Sequence, residues 1–139
     1  MASILRHEKY NCRVSSVLNR DVKQFGKKYL FDENDETCWN SDQGCPQWIS
    51  LEFEKEQMID TVQIQFQGGF VGRDCIFEAK QENGTQFTEP FYPEDINSVQ
   101  IFKLKQLLHT KCIRIVFNES TDFFGRIVIY KLDIVNTKK

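Results

Sequence analysis

The sequence predicts an all-β chain folded as an antiparallel sandwich or barrel, and three observations carry the prediction. Short runs alternate apolar and polar residues, which is the period of a half-buried strand. Gly, Pro, Asn and Asp recur between those runs, where turns need them. Helical patterning is confined to Ser15 to Leu18 and Lys103 to Leu108, two stretches too short to organise a fold.

The elements follow in order. From Trp48 the run WISLEF puts Ile49, Leu51 and Phe53 on one face. A charged turn, Glu54 to Gln57, is expected to join it to MIDTVQIQFQ, where Val62, Ile64 and Phe66 alternate with Gln63, Gln65 and Gln67. Further strands are predicted at Cys75 to Lys80, Gln86 to Phe91, Val99 to Lys103, Cys112 to Asn118 and Arg126 to Val135. The stretch Phe91 to Asp95 closes a strand in a proline turn, with Tyr92 expected to pack. No repeat, low-complexity tract or linker interrupts the pattern. One domain over residues 1–139, with a core from about 13 to 136, is the expected organisation.

Composition bounds the function. A chain of 139 residues can bury roughly two-thirds of its unfolded surface, and 12 Phe, 4 Tyr and 2 Trp supply large apolar rings. Arg6, His7, Glu8 and Lys9 stand where a secretory leader would be apolar, and no long apolar run follows. The expectation is an intracellular protein of nucleus or cytoplasm, neither secreted nor membrane-bound. Five cysteines without CxxC spacing read as free thiols, most simply small core residues. A net charge of −2, with only the interrupted group Arg20, Lys23, Lys27 and Lys28 on the basic side, disfavours direct nucleic-acid binding. His7 and His109 are the only histidines and neither sits in a recognisable nucleophilic arrangement, so no catalytic set is predicted.

The segment Tyr29 to Phe66, with Asp32, Thr37, Trp39 and a second tryptophan, Trp48, opening a strand, resembles the start of discoidin domains. These are also called coagulation-factor type C or galactose-binding-like domains. Phe124 to Val135 is similar to that family's closing strand. The resemblance implies an eight-stranded antiparallel jelly-roll sandwich and makes both tryptophans core residues. A closer resemblance runs through Arg13–Arg20, Gln24–Asp32, Thr37–Gly44, Gln65–Phe70, Phe91–Asp95 and Thr121–Tyr130. It is to a family of small nuclear proteins regarded as repressors of an orphan nuclear receptor. What it implies is a protein-binding adaptor that represses transcription by binding such a receptor. A carbohydrate or small-ligand binding module, as the fold name suggests, is the alternative.

Two kinds of site are then candidates. The acidic turn Asp32 to Thr37 gathers oxygen ligands of the type Ca²⁺ prefers, and Asp32, Asp35 and Thr37 would be the ligands. It is no EF-hand, because Thr37 and Gln43 stand where that loop needs Gly and Glu. The resemblance would place a further ligand on the closing strand at Lys131, whose ammonium suits a substitute cation better than a ligand, so no cofactor is assigned. The second candidate joins two loops, Gln65 to Asp74 and Thr121 to Arg126, which the resemblance gathers at one end of the barrel. Glycine-rich as the first loop is, it matches neither phosphate-binding pattern. Phe70, Arg73, Asp122, Phe123 and Arg126 are its candidate partner-binding residues, aromatic and arginine types being enriched at binding hot spots. Phe70 tucked under the sandwich, an Asp122–Arg126 pair that merely holds the loop, and one of Phe123 and Phe124 buried are the structural alternatives.

Overall fold

In the computed structural model, which describes residues 2–138, the alternating runs form eight strands. They are β1 Ala2–Ser3, β2 Tyr10–Val14, β3 Trp39–Asn40, β4 Gln47–Phe66, β5 Gly72–Gln81, β6 Gln86–Phe91, β7 Val99–Ser120 and β8 Val128–Asn136. Every pairing is antiparallel. The hydrogen-bonded order is β1-β8-β4-β7-β5-β6, with β2 also on β4 and β3 on β8. The eight-stranded antiparallel architecture expected from the sequence is the one found.

Two strands are far longer than the alternation suggested, 20 residues in β4 and 22 in β7, because each serves both layers. Gln47–Glu52 of β4 pairs with β2 and with Cys112–Phe117 of β7. Thr61–Gln65 pairs with β8 and with Val99–Lys103 of β7. Register shifts between Glu52 and Gln57 and between Ile59 and Thr61 mark where the pair bends from the five-stranded layer of β2, β4, β7, β5 and β6 into the layer that holds β8 with the short β1 and β3. The charged segment Glu54 to Gln57, expected as a turn, is therefore a bulge inside one continuous strand. Gln57 holds it by donating to the Glu8 carboxylate at 2.8 Å and to the Lys55 carbonyl at 3.1 Å.

Both helical hints are also overturned. Lys103 to Leu108 lies within β7: its ends pair with Thr61 and Ile59 across a register shift and the Lys105 amide donates to the Glu89 carboxylate at 2.7 Å, so tertiary partners override a weak local preference. Ser15 and Ser16 are held in a loop because their hydroxyls both donate to Gln47 Oε1, at 2.5 and 2.7 Å. A 3₁₀ turn over Leu18–Arg20 follows, and then a single α-helical turn, α1, over Val22–Phe25, capped by the Asp21 carboxylate. Among the described residues no helix is long and apolar enough to cross a membrane.

The core sits between the layers. Ile49, Leu51, Phe53, Val62, Ile64 and Phe66, the inward faces read from the alternation, are all buried. Phe66 meets Phe117 edge to face at 5.8 Å between centroids, and Phe77 stacks on Phe91 at 3.9 Å. Complete burial of one such ring stabilises the fold by roughly 2–3 kcal/mol. The cysteines are free thiols, and burial pushes Cys12 up to about 12 and raises Cys75 as well, so both are packing residues.

The two tryptophans part company. Trp39 is fully buried and its indole N–H donates to the Ser16 carbonyl at 2.9 Å. Trp48, expected in the core, lies partly exposed on the outer face with the Arg114 guanidinium 4.4 Å above its ring. Strand geometry is the reason: successive side chains alternate faces, so a strand that buries Ile49 and Leu51 must turn Trp48 outward. Tyr92, expected to pack, is 72 % exposed.

Candidate functional site at one end of the sandwich

The turns after β4 and before β8 are tied together by backbone ladders that the flanking strands begin. Gln67 N–H donates to the Val128 carbonyl at 2.9 Å and Val128 N–H to the Phe70 carbonyl at 3.2 Å. Thr121 then locks both loops, its amide donating to the Val71 carbonyl at 2.9 Å while its hydroxyl accepts from the Val71 amide at 3.0 Å. Gly69, at φ +90°, makes the first loop's reversal, and its amide and that of Gly68 donate to the Asp95 and Asn97 side chains at 2.7 Å.

The second loop is built around Asp122. Its carboxylate accepts from both the backbone N–H and the Nε of Arg126, each at 3.1 Å. Burial alone would raise this carboxyl, but the hydrogen bonds and charge of Arg126 outweigh it and hold Asp122 below the usual range. The same guanidinium lies 4.8 Å from the Phe70 ring centroid. Gly125, at φ +84°, brings the loop against a third turn: a Cβ there would stand 2.9 Å from the Gly44 backbone, and Gly44 N–H donates to the Phe124 carbonyl at 2.8 Å.

The structure thus brings Asp122, Arg126 and Phe70 into one cluster, with the ion pair and the aromatic contact combined. Phe70 is only partly covered. Neither neighbouring phenylalanine is buried, contrary to expectation: Phe123 is 93 % and Phe124 55 % exposed, their rings edge to face at 5.3 Å. With Gly125 pulled onto Gly44 and Asp122 held by Arg126, the residues between them can only point outward. Arg73 is exposed on β5 opposite Glu119, one register step from the Gly72–Ser120 pair. Among the described residues it makes no hydrogen bond or ion pair with the other four.

The acidic turn is arranged differently. Asp32 accepts from the Thr37 hydroxyl at 2.6 Å and from the Asn34 amide at 3.1 Å. Lys131, opposite Gln65 on β8, puts its ammonium 3.6 Å from Asp35, and Arg6 pairs with Glu33. These donors do not fit a Ca²⁺ cage: two of the three candidate ligands bond each other, the third faces an ammonium, and the closing strand offers a cation where a carboxylate is needed. Among the described residues no group of three or more His, Cys, Asp or Glu side chains is placed to hold a metal ion. His109 pairs with Glu56 at 3.3 Å on the surface, and among the described residues no serine, threonine or cysteine side chain is hydrogen-bonded to either side chain.

A jelly-roll sandwich with loops gathered and braced at one end is the architecture of the F5/8 type C domain, whose family model matches residues 13–129. Solved structures agree at the level of fold. A family 32 carbohydrate-binding module of Clostridium perfringens NanJ, in complex with galactose, superposes with a TM-score of 0.73 at 18 % identity over 90 % of this chain and 92 % of that one. The F5/8 type C domain of a Bacteroides fragilis protein superposes with a TM-score of 0.76 at 13 % identity, covering 90 % and 89 %. Curated relatives are nearer in sequence. The nuclear receptor 2C2-associated protein of Danio rerio is 53 % identical over 99 % of both chains, and that of Homo sapiens 50 % identical over 91 % of both. The chain belongs to this family of nuclear receptor 2C2-associated proteins, a branch of the F5/8 type C domains.

Proposed function

We propose that the chain is a non-enzymatic adaptor that binds a nuclear receptor through its braced loop end and represses transcription by occluding the receptor. The family name supports a receptor as the partner. The observation that carries the choice of surface is the Phe123–Phe124 pair, held out from a loop whose own charges, Asp122 and Arg126, are spent on each other. Large rings on a rigid support lose little entropy on binding and dominate interface energetics. Phe70 and Arg126 form the floor beside them, and Arg73 the rim. Nucleus and cytoplasm are the compartments this role requires, and no nucleic-acid contact enters it.

The test is co-precipitation of nuclear receptor 2C2 with wild-type protein and with the folded double variant Phe70→Ala/Phe123→Ala, alongside a receptor-driven reporter. Loss of both capture and repression supports the reading. Undiminished capture by the double variant removes the loop end from it.

A second reading, a carbohydrate-binding module, has one specific support: neighbours in fold that hold galactose or GalNAc-β-1,3-galactose. Saturation-transfer NMR with galactose tests it, and silence there counts against it.

A further inference from the structure

The outer face of the five-stranded layer carries a second surface that the loop end does not use. Register alone defines it. Trp48 of β4 stands opposite Val116 of β7, Val116 opposite Ile76 of β5, and Ile76 opposite Pro90 of β6. Residues directly opposite one another share a face, so these four make an apolar row across four strands. Three interstrand spacings give it a length of about 14 Å. None of the four is fully buried, and Pro90 is exposed.

The next row carries charge. Arg13, Ser50, Arg114 and Glu78 stand opposite one another in turn, and Arg114 reaches back over the Trp48 ring at 4.4 Å. Glu78 faces Arg114 directly, yet among the described residues neither Arg114 nor Arg13 has an ion pair or a side-chain hydrogen bond. The guanidinium is therefore pre-positioned on an indole with its donors unspent. With the row beyond, the face carries Arg13, Arg114 and Lys80 and two carboxylates, Glu52 and Glu78, an excess of one positive charge on a chain of net charge −2.

We infer that this face is a docking surface for an acidic, apolar peptide segment of a partner protein. Apolar side chains of the segment cover the Trp48–Val116–Ile76–Pro90 row, and one of its carboxylates receives the paired N–H groups of Arg114. Charge complementarity decides the class of occupant: an arginine stacked on tryptophan is weakly hydrated and geometrically matched to a carboxylate, whereas a basic or purely apolar segment would leave its donors uncompensated. The inference is independent of the loop-end reading, since no residue is shared.

The two indoles make the face readable. The Trp39 indole N–H is hydrogen-bonded in the core, whereas the Trp48 indole N–H has no hydrogen-bond partner among the described residues, so their ¹⁵N–¹H signals separate buried from surface effects. The full chain, ¹⁵N-labelled, is titrated with a synthetic peptide alternating leucine and glutamate, and with the same peptide carrying lysine for glutamate. The glutamate peptide is expected to shift the Trp48 indole and the Ile76 and Val116 amides while leaving Trp39 in place. Arg114→Glu should weaken it at least about tenfold, with Arg114→Gln intermediate and Phe123→Ala unchanged. Equal binding of the lysine peptide, shifts centred on Phe70 and Phe123, or full affinity in a folded Arg114→Glu chain would each overturn the inference. So would sedimentation showing a dimer that Arg114→Glu dissociates, because the occupant would then be a second copy of the chain.

Discussion

The loop end and the acidic turn are both charged, irregular segments, yet they place their charge to opposite ends. At the loop end one cation and one anion lie within a single loop, Asp122 is almost wholly covered, and the pair braces a backbone that projects two rings. In the acidic turn the cations arrive from elsewhere, Lys131 from β8 and Arg6 from the N-terminal segment, and Asp35 stays 82 % exposed. The lesson is that a cluster of ligand-type residues marks a site only if its charge is unspent or is spent on presenting something. The acidic turn meets part of its charge with cations from other segments and presents no apolar group.

That contrast can be broken first at Gly125. A side chain there meets both a positive φ and the Gly44 backbone, so Gly125→Val should cost about 2–4 kcal/mol in chemical denaturation. Asp35→Ala in the acidic turn should leave the denaturation midpoint where it is. Equal losses at the two sites would mean the loop end is no better braced than the turn.

Next comes recognition. Phe123→Ala should leave the melting temperature unchanged, since its ring is 93 % exposed, yet weaken receptor capture by at least about tenfold, as hot-spot rings do.

The acid limb offers a smaller effect. Asp122 is held below the ordinary carboxylate range by Arg126, so the stability it contributes is present above its unfolded pKa of about 4 and is lost as pH falls through the lower folded value. Asp122→Asn should remove roughly 1–2 kcal/mol near neutrality and flatten the acid limb. A variant as stable as wild type at pH 7 but not at pH 3 would reverse the sign. Last and smallest, millimolar Ca²⁺ should leave the wild-type melt in place, whereas Lys131→Glu should gain a Ca²⁺-dependent rise.

Sequence reading reached the strands that bury one face, because burial and alternation are the same fact stated twice. It missed whatever depends on two distant segments meeting. Glu54 to Gln57 looked like a turn because charge clusters in turns, but Glu8 and the β7 ladder keep it inside β4. The five loop-end candidates were legible as residue types, and their geometry was not, since Gly125 on Gly44 and Arg126 on Phe70 join positions far apart in the chain. Trp48 was legible in principle: its phase against Ile49 and Leu51 already sends it outward, and the resemblance, which made both tryptophans core residues, masked that signal.

By itself, then, the sequence determined an all-β antiparallel fold, its inward faces and the family it belongs to, because periodicity and motif spacing are local properties. The resemblance already offered Lys131 as the cation beside the acidic turn; only the tertiary structure decided that it meets Asp35, that Phe123 and Phe124 both stand clear, and that Trp48, Val116, Ile76 and Pro90 line up beside Arg114. Each of those depends on cross-strand register, and register is set by how bulges and loops bring remote residues opposite one another.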